Sequence, residues 1–176
     1  MTTLGFANFA LVGFHLKARH VLSDAQIPLF YALAMGIDAV AAMAIGKTYD
    51  IFKAKRNNEK AGLITLIAIP AFSLLIPGLV FSTKFSWVLA GVIIWGIVMG
   101  CHETIMKSAI ADITPLRKRG TGYGVFNAAY GLSIFIGSAL TGFLYDYSIS
   151  AVIVISIMVE IMAIPVFFVM RKEALK

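Results

Sequence analysis

Residues 119–146 read RGTGYGVFNAAYGLSIFIGSALTGFLYD, and this stretch decides the fold. A helix that crosses a bilayer needs roughly 20 mostly apolar residues, and residues 121–145 supply such a run. On a helical wheel, one stripe about 80° wide holds small residues, namely Gly120, Gly124, Ala128, Gly131, Ser138 and Gly142. Small residues let helix backbones approach closely in lipid, so the stripe predicts a packing face. A polar face adjoins it and contains Tyr123, Asn127, Tyr130 and Thr141.

Five further apolar runs accompany this one along the chain. The six predicted membrane spans cover residues 1–16, 27–46, 61–82, 85–106, 121–145 and 147–170. The first run is short, and the third contains Pro70 and Pro77, which predict a kink. Sustained alternation of apolar and polar residues is absent from the sequence, which excludes an all-β fold.

Composition leads to the same class of protein. Of the 176 residues, 60% are hydrophobic and 14% are charged, whereas soluble domains are about half apolar and a quarter charged. A soluble fold of this size cannot bury so much apolar surface. The sequence therefore predicts an all-α polytopic membrane protein, with six transmembrane helices in a single domain over residues 1–176.

The basic residues predict how the spans are oriented. Twelve of the 15 lysines and arginines lie in residues 47–60, residues 107–119 and the tail after residue 170. The opposite side has Lys17, Arg19 and Lys84. Because positively charged loops stay in the cytoplasm, we expect both termini to be cytoplasmic. This asymmetry also accounts for the net charge of +6, so no nucleic-acid partner is expected.

Two stretches resemble a known family. Residues 46–56, GKTYDIFKAKR, follow the second span and resemble the signature cytoplasmic loop of the major facilitator superfamily. In that loop a glycine precedes an aspartate by four residues and a basic cluster follows, although Ile51 replaces the usual basic residue after Asp50. Residues 119–146 are similar to the eleventh span of prokaryotic members, with its short basic loop in front.

The resemblance covers nearly the whole chain and identifies it with spans seven to twelve. It implies the C-terminal half of a twelve-helix transporter, built from two inverted three-helix repeats. It also implies transport of a small solute by alternating access in the cell membrane, often driven by a proton gradient. The first span begins at the initiator methionine without a basic anchor, so we expect a separate N-terminal six-helix half or a parallel homodimer as partner. The alternative is a non-transporting fragment or a structural or regulatory membrane subunit.

Several side chains are candidates for a substrate or proton pathway: Asp38, Asn8, Tyr123, Asn127, Tyr130 and Glu160. Asp38 and Glu160 lie near the middle of the second and sixth spans. A charged acid at that depth costs several kcal/mol unless it is hydrated, paired or protonated, so either acid could bind and release a proton. The other interpretation is a neutral carboxylic acid, tyrosine or amide that bonds to a neighbouring helix. Trp95 lies at mid-span, and we expect it to pack against neighbouring helices rather than to contact a ligand.

A second group of residues suggests a cytoplasmic gate: Gly46, Asp50, Lys53, Arg56, Glu103 and Lys107. By resemblance, Asp50 pairs with or caps a neighbouring helix end. Glu103 and Lys107 have the favourable order of a helical ion pair, which is either a solvated pair or a gate that meets Lys53 and Arg56.

No enzyme chemistry is expected. The chain contains one cysteine, Cys101, which excludes an internal disulfide and a cysteine-rich metal site. The sequence has no nucleophile–base pairing, phosphate loop or dinucleotide fingerprint. We therefore expect no catalytic residue, no metal and no cofactor.

Overall fold

A computed structural model of the chain describes residues 2–56 and 59–174. Every regular element in that part is a helix, which confirms the predicted all-α class. The α-helices are α1 (Thr2–Gly5), α2 (Phe9–Ala18), α3 (Gln26–Arg56), α4 (Ala68–Ser73), α5 (Ile76–Val80), α6 (Phe85–Ile113), α7 (Arg119–Tyr147) and α8 (Ile149–Ala174). Two 3-10 helices, Glu59–Ile67 and Leu116–Lys118, precede α4 and α7.

Five helical segments of the described residues have the length and apolar composition needed to cross a membrane. These are Gln26–Lys55, Leu63–Val80, Phe85–Ile113, Leu116–Tyr147 and Ile149–Val169. They correspond to the second to sixth predicted spans. The first predicted span is not among them.

Within the first predicted span, residues 1–16, the described residues form two short helices rather than one continuous helix. α1 ends at Gly5 and α2 begins at Phe9. Between them Asn8 has extended backbone angles, φ −67° and ψ 131°, and its side-chain oxygen accepts a hydrogen bond from the backbone N–H of Ala10. Asn8 is therefore a helix N-cap, a position that asparagine favours because it satisfies an otherwise unpaired N–H group.

The third span is interrupted, as its prolines predict. α4 ends at Ser73, Leu74 and Leu75 form a turn, and α5 begins at Ile76 with Pro77 in its first turn. A proline lacks the N–H that would continue the helix, so the chain restarts a helix there. The residues before α4 form the 3-10 helix Glu59–Ile67.

Helix α3 runs further than its predicted end at residue 46. It has 31 residues and a length of about 46 Å, against a hydrocarbon core of roughly 30 Å. The family-like segment 46–56 is therefore the last part of a helix, not a loop. Lysine and arginine are good helix formers, and their charges favour a helix end that projects into water. α6 likewise continues to Ile113, beyond its predicted end at residue 106.

Helices α3 and α6 lie very close together along a seam of small residues. A Cβ atom added to Gly96 would lie 2.5 Å from the carbonyl oxygen of Ala34. One added to Gly100 would lie 2.7 Å from the carbonyl oxygen of Asp38. Further along, Gly46 of α3 faces the Thr104 side chain of α6. The spacing of Gly96 and Gly100 is the GxxxG pattern that permits such close backbone contact in membranes.

Most of the small-residue stripe of α7 is open within the described residues, although Ser138 bonds to Asn8. No atom lies within 4 Å of a Cβ position built on its four glycines, which are Gly120, Gly124, Gly131 and Gly142. Two other glycines of α7 do pack: Gly137 lies against the backbone of Leu4 in α1, and Gly122 lies against the Thr114 side chain. Most of the face of α7 that the sequence marks for packing is therefore open in this chain.

The seam between α3 and α6 predicts unequal effects of two similar substitutions. Gly100→Ala should destabilise the protein by about 1–3 kcal/mol, because overpacking forces the helix backbones apart. Gly36→Ala on α3 is the matched control, since nothing lies within 4 Å of its Cβ position. The free energy of unfolding, measured by SDS titration in mixed micelles, checks both variants. Equal stabilities of the two would contradict the close approach.

Candidate functional site

The break in the first span is held by side chains from two other helices. Trp95 of α6 donates its indole N–H to the carbonyl oxygen of Ala7 at 2.8 Å. Asn8 donates from Nδ2 to Ser138 Oγ of α7 at 2.9 Å. Non-helical backbone at membrane depth is tolerated only where it is buried in protein or lines a water-filled cavity. Trp95, which the sequence predicts as a packing residue, therefore also bonds to the interrupted backbone.

A cavity of about 610 Å³ lies beside this break. Its aromatic lining residues are Phe6, Phe9, Tyr31, Trp95 and Tyr130, and its polar ones include Thr3, Asn8 and Ser138. The Phe6 and Trp95 rings stack with centroids 5.4 Å apart, and Phe9 meets Trp95 edge-on at 5.3 Å. A largely apolar cavity with a few convergent polar groups is the usual form of a small-molecule site.

Two of the candidate pathway residues, Asn8 and Tyr130, line this cavity. Asp38 lies two helical turns along α3 from the cavity-lining Tyr31, on the same helix face. Its carboxylate is next to Gly100, and its Oδ1 atom is buried without a hydrogen-bond partner among the described residues. Asp38 is therefore close to the cavity end without lining it.

The structure places the other three pathway candidates away from the cavity. Glu160 of α8 is fully buried, and its two carboxylate oxygens have no hydrogen-bond partner in the described part of the chain. Tyr123 donates from its hydroxyl to the Lys107 carbonyl oxygen at 3.2 Å, which joins α7 to α6. Asn127 is exposed on α7. The sequence therefore does not reveal which polar residues meet at one site.

Lys53, one of the candidate gate residues, pairs with an acid that sequence reasoning missed. Asp112 of α6 accepts from Lys53 Nζ at 2.8 and 2.9 Å. It also accepts from the Tyr49 hydroxyl at 2.8 Å, and Tyr49 is almost completely buried. We call Tyr49, Lys53 and Asp112 the inner cluster. Recognition that residues 107–113 continue α6 would have revealed Asp112, because this continuation lies beside the end of α3.

The other gate candidates do not join the inner cluster. No ion pair links Glu103 to Lys107 or Lys53 in residues 2–56 and 59–174, where Lys53 pairs with Asp112 instead. Asp50 is exposed, and no hydrogen bond to it occurs among the described residues. Gly46 packs on Thr104, and the Arg56 side chain lies outside the described part.

A second contact joins helices at the opposite end of the domain. His15 of α2 shares a hydrogen bond with the Tyr145 hydroxyl of α7, from Nδ1 at 2.9 Å. The His15 ring also meets the Phe81 ring edge-on at 5.3 Å and is only 1% exposed. α2 is therefore attached at both ends: by Asn8 near the cavity and by His15 at its far end.

The inner cluster should show measurable coupling between its charged members. The Lys53 and Asp112 side chains are 27% and 11% exposed, so their pairing is only partly screened by water. A double-mutant cycle with Lys53→Met and Asp112→Asn should give a coupling energy of about 1 kcal/mol or more in unfolding. Lys107→Met paired with Asp112→Asn is the control, because Lys107 makes no ion pair with Asp112. Additive effects of the first two substitutions would contradict the contact.

Comparison with known proteins identifies close sequence relatives. The family model of the Major Facilitator Superfamily matches residues 1–176. The chain is 36% identical over 171 residues to the uncharacterized protein Rv2265 of Mycobacterium tuberculosis and, equally, to Mb2288 of Mycobacterium bovis. Each alignment covers 97% of this chain and 40% of the relative, so the chain spans about 40% of the length of these proteins. No solved structure matches the chain.

Proposed function

We propose, since the chain belongs to the Major Facilitator Superfamily, that it moves a small solute across the cell membrane by alternating access. Members of this family are transporters rather than enzymes. The chain acts here as one six-helix half of a secondary transporter, and the half-repeats of such folds surround a central substrate site.

One observation carries the proposal: the broken first span opens onto the aromatic cavity. Unwound backbone near the middle of a membrane is characteristic of transporters, where it lies at the substrate site. Here Ala7 and Asn8 form the break, and Trp95 and Ser138 hold it beside a cavity of about 610 Å³. A structural or regulatory subunit has no need of such a cavity.

The open faces of α3 and α7 support a second six-helix half as partner. Both faces carry large exposed apolar side chains, among them Leu29, Val40, Val125, Leu132 and Phe135. Lipid would cover these apolar side chains. The glycines of α7 that have no neighbour among the described residues are better explained by close contact with another helix. The exposed Asp50 is then free to pair with a helix end of that half. The partner is an N-terminal half or a second, parallel copy of this chain.

Proton coupling is proposed through Asp38. Its partly buried carboxylate has no basic partner within the described residues, and a proton would remove the cost of its charge in lipid. Glu160, although fully buried, packs away from the cavity, so it is the weaker candidate. Access of Asp38 to the cavity end would let a proton enter and leave during the transport cycle.

Transport should depend on the bond between Trp95 and the broken backbone. Trp95→Phe retains a ring but removes the donor to Ala7, leaving a buried carbonyl unpaired at a cost of about 1–3 kcal/mol. We expect solute-dependent proton flux into pyranine-loaded vesicles, with the second half present, to fall about tenfold or more in this variant. Trp87→Phe is the control, since Trp87 is exposed at the outer end of α6.

The same vesicles test the need for a partner. Light scattering should show that transporting particles contain more than one copy of the 19.0 kDa chain or a second half. Flux catalysed by single copies would defeat the proposed partner. Normal flux in Trp95→Phe would remove the broken span from the mechanism.

The orientation of the domain follows from its basic residues. Alkaline phosphatase, active only outside the cytoplasm, should be inactive when fused after Lys176 and active when fused after Thr83, between α5 and α6. The reason is that Lys53, Arg117 and their neighbours keep their loops inside. The reverse pattern of activities would invert the proposed topology.

A further inference from the structure

The cavity beside the broken span has walls made of aromatic rings. Besides the two contacts of Trp95, the Phe9 and Tyr31 rings lie with centroids 4.9 Å apart. Tyr130 completes the lining on the α7 side and lies 6.1 Å, centroid to centroid, from the buried His102 ring. The face of an aromatic ring carries negative electrostatic potential, so clustered rings attract cations.

Two carboxylates lie at one end of this cavity. Asp38 continues the helix face of Tyr31, and Glu103 lies one turn along α6 from the cavity-lining Met99. Gly100 of α6, which Asp38 Oδ1 adjoins, is one residue from Met99 and three from Glu103, so the two acids are neighbours across the seam between α3 and α6. The charges of both acids therefore act on the same end of the cavity wall.

No basic side chain of the described residues neutralises either acid. The ion pairs found there join Lys17 to Asp24 and Lys53 to Asp112. Lys107, one turn from Glu103, is exposed and forms no ion pair with it. The cavity thus has aromatic walls and two unpaired acids close to its lining, on helices that contribute to that lining, and no charged side chain lies in the lining itself.

A neutral solute would use the rings, Asn8 and Ser138, but would gain no binding energy from the charges of the two acids. An anion would be repelled. A cation gains from both features, since desolvated contact with rings and with carboxylates strengthens in a low-dielectric site.

We propose that the solute is an organic cation with substantial apolar bulk, held between the aromatic rings and with Asp38 and Glu103 as its counter-ions. The inference rests on the proposed function, because it names the class of substrate for the same cavity. Binding, however, requires only the cavity of this chain, so it can be measured without transport.

The direct test uses two ions of the same shape and opposite charge. The chain contains two tryptophans, so Trp87→Phe leaves Trp95, in the cavity wall, as the only fluorophore of its kind. Tetraphenylphosphonium should change Trp95 fluorescence saturably in the purified full chain in a neutral detergent. Tetraphenylborate should bind at least about tenfold more weakly. Equal affinities, or tighter binding of the anion, would overturn the proposal.

Substitution of the acids separates a charge effect from simple partition into the detergent. Asp38→Asn and Glu103→Gln should each weaken tetraphenylphosphonium binding about fivefold or more. Asp24→Asn, which removes an exposed acid of the outer loop, should leave binding unchanged. Asp38 lies in the α3–α6 seam, so Glu103→Gln, at an exposed position, decides the matter if Asp38→Asn does not fold.

The outcomes distinguish this inference from the proposed function. Charge-dependent binding without any flux in vesicles would support the cation site and count against transport. Flux together with tetraphenylphosphonium binding that is unchanged in Asp38→Asn and Glu103→Gln would support transport and overturn the cation site.

Discussion

The close approach of α3 and α6 is the constraint on which the rest of the domain depends. Gly96 and Gly100 bring the backbones together because a side chain at either position would collide with α3. That contact sets the position of Asp38 beside Gly100, and it places Trp95 where it reaches the first span. At the far end of the same seam, Tyr49 and Lys53 meet Asp112. One packing interaction therefore fixes the cavity wall, its neighbouring acid and the inner cluster.

The broken first span shows how side chains from other helices stabilise an interruption in a helix. The backbone of residues 6–8 leaves the helix, and unpaired polar groups of this kind are costly inside a membrane. Trp95, Ser138 and the N-cap of Asn8 remove that cost with side-chain hydrogen bonds. The bond of Asn8 to Ser138 and that of His15 to Tyr145 join both ends of α2 to α7.

The sequence predicts the fold class well because hydropathy reports directly on the length of a helix in lipid, and it predicts the family because residues 46–56 and 119–146 resemble stretches of that family. The proline interruption of the third span also follows from the sequence, since Pro77 cannot continue a helix. The break at Asn8 does not follow, because its stabilising donor, Trp95, is 88 residues away. Asp112 was missed for a related reason. The charged end of α6 was predicted to be a loop, but it continues the helix, and Asp112 therefore lies beside Lys53. Local patterns thus predict elements, and long-range contacts decide which polar residues share a site.

The central claim is that the break and its cavity form a path reachable by water. Accessibility of a single cysteine tests this most directly. With Cys101→Ala as background, Ala10→Cys lies in the cavity lining, whereas Met158→Cys lies on the exposed apolar surface of α8. With the partner half present in vesicles, a membrane-impermeant maleimide should label Ala10→Cys and should spare Met158→Cys. Absence of labelling at Ala10→Cys from both sides of the membrane would contradict a solute cavity at the broken span.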